Sequence, residues 1–234
     1  ASAMIIEVGG GTTELMLLHR GKMVAAHSLR VGTVRIEHQA RRSWSTADQI
    51  EDFIRENVRA SKELLASEMK LDRVRFFIAV GGDARMAARR VGRRESDDYW
   101  LIDREEFDRF ISMLQDQSPE ELVSRLEVTY NEAEGLLPAL LIYRMFLEET
   151  NAQQLIVPDV SIREGVLMSF ALGNDWAVEP EFYSQVVASA KNLGRRYHYD
   201  EAHAGQVAQL AVQIFDQLTE EHGMDRHGRL MLEV

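Results

Sequence analysis

Residues 4–18 read MIIEVGGGTTELMLL, two short apolar runs broken by three consecutive glycines. Glycine is a poor helix former, so no helix runs through this stretch. Each apolar flank has the length of a buried strand, and glycine lets the backbone reverse sharply between them. A tight turn at Arg20-Gly21-Lys22 separates the second run from a third. Residues 4–30 therefore predict a three-stranded meander whose first turn is the glycine run.

Two readings of that turn stay open. One is a hairpin turn with solvated carboxylates at Glu7 and Glu14. The other is a phosphate loop. Successive N–H groups in such a turn line an anion-binding concavity, and the Thr12 and Thr13 hydroxyls add donors. Glu7 and Glu14 suit Mg²⁺, which takes carboxylates, water and phosphate oxygens. A second glycine turn bears on the choice. FIAVGGDARMAARRVG sets Gly81 and Gly82 after an apolar strand and before a helix, and a helix N-terminus attracts anions. Two such turns fit a phosphate clamp. Asp83 reads as a plain helix N-cap. Arg85 and Arg89 fit either a polyanion groove or a solvated face, while Arg93 and Arg94 read as a solvated face paired with acids.

Further along, strands alternate with helices. Helical spacing of Ile50, Ile54 and Val58 predicts a surface helix over 48–69. Short helices follow at 104–115 and 118–126, the second capped by Ser118 with Pro119 next. An apolar helix covers 136–149, and 154–172 reads as strand, turn and helix. From Glu179 onward the chain reads as helical. The stretch GNDWAVEP at 173–180 predicts a boundary, giving an α/β domain over 1–175 and an all-α segment over 176–234.

Composition removes several function classes. A net charge of −11 opposes nonspecific nucleic-acid binding. No apolar run approaches the roughly 20 residues of a membrane span, and the opening ASAM lacks the features of a signal peptide. Cysteine is absent, which excludes disulfides and thiolate metal sites and fits the cytoplasm. The seven histidines show no metal-ligand spacing.

In order, five segments resemble the exopolyphosphatase/guanosine pentaphosphate phosphohydrolase (Ppx/GppA) family of the actin-like ATPase superfamily. They are MIIEVGGGTTEL, SLRVGTVRI, AVGGDARMAA, the 136–167 stretch from LLPALL to IREGVL, and HAGQVAQLAVQIFDQLTEEHGM. The resemblance implies an actin-like (ribonuclease H-like) domain with a mixed sheet, followed by the start of an HD-like helical domain. A first actin-like domain, carrying the water-activating glutamate, would precede it, so the chain alone is expected to show little turnover. The implied activity is Mg²⁺-dependent release of terminal phosphate from polyphosphate or guanosine pentaphosphate. The competing expectation is a non-catalytic phosphate-binding or sensor module. A homodimer is a further expectation, since family members are often dimers.

By the same resemblance Gly9, Gly10, Gly11, Thr12 and Thr13 form the first phosphate loop, and Gly81, Gly82 and Arg85 the second. Glu14 takes the catalytic, metal-binding position and Glu7 a second metal position. Three residues depart from the family pattern. Glu7 stands for aspartate, Asp83 for threonine and Glu132 for arginine, and the last two make the region more acidic.

Overall fold

The computed structural model describes residues 1–43, 47–66, 70–171 and 180–234. The chain packs as two units, Ala1–Gly21 with Ser28–Ser161 and Lys22–His27 with Ile162–Val234. Of the boundary stretch expected at 173–180, all but Pro180 lies outside the described residues.

The predicted meander forms as β1 (Ser2–Val8), β2 (Thr13–His19) and β3 (Lys22–Leu29). Arg20 and Gly21, with φ of 53° and 78°, make the turn between β2 and β3; two positive φ values match the right-handed strand twist. With β4 (Val74–Val80), β5 (Arg93–Arg94), β6 (Tyr99–Asp103) and β7 (Gln154–Pro158), the sheet has the order β3-β2-β1-β4-β7-β6-β5. β1, β4 and β7 run parallel, while β2 and β6 pair antiparallel to their neighbours.

In β1 and β2 burial alternates along the strand. Met4, Ile6, Leu15 and Leu17 are fully buried on one face, while Glu7 and Glu14 lie half-buried on the other. The helices of this unit are α1 (Thr33–Ser43), α2 (Ala47–Ala66), α3 (Gly82–Val91), α4 (Arg104–Gln115), α5 (Pro119–Leu126) and α6 (Tyr130–Glu148). α5 starts as the sequence predicts, with Ser118 and Glu121 forming a capping box and Pro119 in the first turn. α6 starts six residues before the predicted apolar run, because Thr129 and Glu132 form a second capping box. It is apolar on nearly every side, as a helix surrounded by protein must be. It packs against β1 and against each of α1 through α5.

Besides Lys22–His27 of β3, the second unit carries the helices α7 (Ile162–Ala171), α8 (Pro180–Arg196), α9 (Glu201–Gln217), α10 (Thr219–His222) and α11 (Arg226–Glu233), with α7 inside the range that the sequence reading gave to the α/β domain. Arg229 on α11 binds Asp216 of α9 at 2.8 Å and the Tyr183 hydroxyl of α8 at 2.8 Å, joining three helices. Among the described residues no helix is long and apolar enough to cross a membrane.

Candidate functional site

The two glycine turns lie at adjacent strand ends, since β1 and β4 are parallel with Glu7 opposite Val80. Carboxyl ends of parallel strands are where open α/β sheets bind ligands.

In the first turn the Gly9 N–H donates to the Thr12 carbonyl at 2.9 Å. The Gly9 carbonyl accepts from the Thr33 N–H at 3.0 Å, and the Gly10 carbonyl from Val34 at 3.0 Å and Arg35 at 3.3 Å. The first N–H groups of α1, which lack partners inside their own helix, thus hold the glycine loop. A trans peptide points its N–H opposite to its carbonyl, so the Gly10 and Gly11 N–H groups face away from α1. Gly9 through Thr12 are exposed, and among the described residues neither of those two N–H groups has a backbone acceptor. The result is an outward pair of donors of the kind that holds an anion. Gly32 makes the approach of α1 possible: a Cβ there would stand 2.6 Å from the Gly10 oxygen and the Gly11 carbonyl carbon.

The two threonines separate. Thr12 is exposed beside the open N–H groups. Thr13 is fully buried and its hydroxyl donates to the Val31 carbonyl at 2.7 Å, so it does not reach the open face.

Glu7 and Glu14 are direct cross-strand partners on one sheet face. Ser28 donates its hydroxyl to Glu14 Oε1 at 2.7 Å. Like charges opposite each other on a sheet repel, and a cation between them would relieve this. Mg²⁺ is bound by one or two carboxylates when phosphate and water complete its shell. Among the described residues no cluster of three acids or histidines offers a fuller cage. The carboxylate pair fits the ion.

In the second turn Gly81 caps α3 with φ 130° and ψ 168°, a conformation suited to glycine. Asp83 is therefore not the N-cap expected from sequence. It is the second helical residue, because a glycine able to take that φ ends the strand two positions earlier. Burial, reinforced by the Glu132 charge, pushes its pKa from 3.8 up to about 6. Glu132 is exposed, and its carboxylate accepts from the Thr129 N–H and hydroxyl, both at 2.8 Å. Those bonds hold it below the ordinary range. So the acidic departure at 132 completes the capping box of α6, whose N-cap is Thr129, and its field reaches Asp83.

The Arg85 guanidinium donates to the Val160 carbonyl at 2.6 Å and lies 3.9 Å from Asp159, tying α3 to the exit of β7. Arg93 pairs with Glu95 and Arg94 with Asp97, the acid-paired face expected for them.

Tyr143 escaped notice in the sequence. It is the one hydroxyl in the apolar run LLPALLIYRMFL, and that polarity in a buried helix was the available signal. Its side chain is buried, accepts from the Val8 N–H at 3.2 Å and donates to the Val80 carbonyl at 2.6 Å. Burial pushes its pKa far up, with the charges of Asp83 and Glu7 acting in the same direction.

A model of the Ppx/GppA phosphatase family matches residues 1–173. The chain belongs to the Ppx/GppA phosphatase family. Among solved structures it is similar to an Aquifex aeolicus Ppx/GppA phosphatase, the type II variant, with TM-score 0.55 and 20% identity over 72% of this chain and 56% of that one. An exopolyphosphatase from Cytophaga hutchinsonii gives TM-score 0.60 and 15% identity, again over 72% and 56%. These likenesses carry the fold, the mixed sheet of actin-like Ppx/GppA structures. The chain spans 56% of the length of each of these two relatives. No curated protein matches the sequence.

Proposed function

We propose that this chain supplies one wall of a phosphoanhydride hydrolase site, in a protein releasing terminal phosphate from polyphosphate or guanosine pentaphosphate. The observation that carries the proposal is the pair of outward N–H groups at Gly10 and Gly11, set between Glu7 and Glu14. These donors would hold phosphoryl oxygens as charge develops on them. Gly81 and Gly82, at the α3 N-terminus, would hold a neighbouring phosphate. Glu7 and Glu14 would carry Mg²⁺, which supplies charge neutralisation to the terminal phosphates. A carboxylate from the domain implied to precede this one would orient water for in-line attack; the bridging P–O bond breaks and the shortened chain leaves. The cytoplasm and a homodimer remain part of the proposal.

One observation favours the second reading, a binding or sensor module: a carboxylate, Asp83, occupies the second turn under the field of Glu132. The two are separated by assaying phosphate release in the full-length protein, with each substrate, with and without Mg²⁺, beside Glu14→Ala. Release that needs Mg²⁺ and falls about a hundredfold in the variant supports hydrolysis. Binding of either substrate by the wild type without release establishes the sensor reading instead.

A further inference from the structure

We infer that Tyr143 is a positioning residue that locks the two glycine turns to each other; this rests on the reading of those turns as phosphate loops. The ladder between β1 and β4 ends at Glu7 and Val80. Beyond it the strands diverge into their separate turns. The Tyr143 hydroxyl stands at that point, accepting from Val8 N–H at 3.2 Å and donating to the Val80 carbonyl at 2.6 Å. It is one further rung, made by a side chain, and both capacities of the phenol are used.

This rung sets direction as well as distance. The Val80 carbonyl and the Gly81 N–H belong to one trans peptide. With the carbonyl held on the phenol, the Gly81 N–H is turned to the opposite side. The same hydroxyl lies against Gly81: a Cβ there would stand 3.1 Å from it. On the other strand, Val8 directly precedes the glycine run. A single buried group thus holds the Glu7–Val8 peptide, one residue short of the first turn, and the Val80–Gly81 peptide that opens the second. The phenol does not ionise in any ordinary range, because burial and the Asp83 and Glu7 charges oppose it, so it keeps its proton and remains a donor to the Val80 carbonyl.

Tyr143→Phe keeps the ring and removes the rung. In this chain, exchange of the Val8 amide hydrogen should quicken at least about tenfold, since a buried hydrogen bond is lost there. Phe107→Leu, in the buried face of α4, lowers overall stability without touching the turns and serves as the control. In the full-length protein, with tripolyphosphate and Mg²⁺, Tyr143→Phe should lower kcat/KM by about tenfold or more, a cost expected when reacting groups are misplaced. Phe107→Leu should leave kcat/KM within about twofold while melting earlier. Unchanged Val8 exchange in Tyr143→Phe overturns the rung. Faster exchange with kcat/KM no lower than in Phe107→Leu overturns the positioning role. A wild type that hydrolyses nothing sinks the phosphatase reading and with it that role, while the exchange measurement still decides the rung.

Discussion

The two glycine turns begin alike in sequence, each an apolar strand running into consecutive glycines, yet they are built on different physics. The first is held from outside. Its carbonyls are taken by the N-terminus of α1, twenty-odd residues away in the chain, and its outward N–H groups stay open. The second is held by Tyr143 on α6, whose hydroxyl also binds Val8 ahead of the first turn, and it opens its own helix. Its anion-attracting N–H groups share their helix turn with the Asp83 carboxylate. In the proposed function the first turn would be an anion cradle flanked by a carboxylate pair for a cation, while the second combines a helix N-terminus with a competing negative charge. A run of glycines therefore marks a place where backbone approaches backbone, and what the place binds depends on who supplies the surrounding donors.

The comparison breaks hardest at Gly32. A Cβ there would meet three backbone atoms of Gly10 and Gly11 at 2.6–2.7 Å, and backbone cannot swing aside as a side chain does. Gly32→Ala should cost about 3 kcal/mol or more and release α1 from the first turn, read as a fall in urea midpoint. A variant as stable as the wild type would mean that α1 does not hold the loop. The second turn gives a smaller effect with an internal control. Gly81→Ala must adopt φ 130° and crowd the Tyr143 hydroxyl, at a cost of about 1–3 kcal/mol. Gly82 has open space around its Cβ position and an ordinary φ. Gly82→Ala should be neutral or stabilise by up to about 1 kcal/mol. Equal effects at the two neighbours would show that the special conformation belongs to neither.

Much of this was legible in the sequence, and what was not has physical reasons. The meander, both glycine turns, the Ser118 cap and the helices after residue 179 follow from apolar period and local turn chemistry. α1 was not read, because Thr33–Ser43 carries few apolar residues and is dominated by charge; it forms because its N–H groups find the glycine loop. β6 was missed because YWLID is short and lies beside a run of acids, and it is a strand because β7 offers it a partner. At the site, the carboxylate pair was named from sequence, but its cross-strand pairing depends on register. The burial of the Thr13 hydroxyl and the bridging by Tyr143 depend on segments distant in sequence. Asp83 was taken for a cap because Asp after glycine usually is one; the positive φ of Gly81 moved the helix start.

Asp83 gives the gentlest test of the difference between the turns, and it is read through pH. Its folded pKa, about 6, lies above the ordinary 3.8. Between those values the folded chain keeps a proton that the unfolded chain has lost. The stabilising contribution is thus complete below the ordinary value and disappears as pH rises through about 6. Asp83→Asn keeps the shape but removes the titration. The variant should gain on the wild type as pH rises from 4.5 to 7.5, by about 1–2 kcal/mol allowing for solvent screening. Urea midpoints of both proteins at the two pH values measure it. If the gap between them does not change with pH, Asp83 is not held proton-hungry by burial and Glu132, and the second turn is as open to anions as the first. If it widens as expected, neutralising Asp83 should also strengthen pyrophosphate binding at neutral pH. The same variant at acidic pH, where the wild-type carboxyl already carries its proton, should bind no better than the wild type.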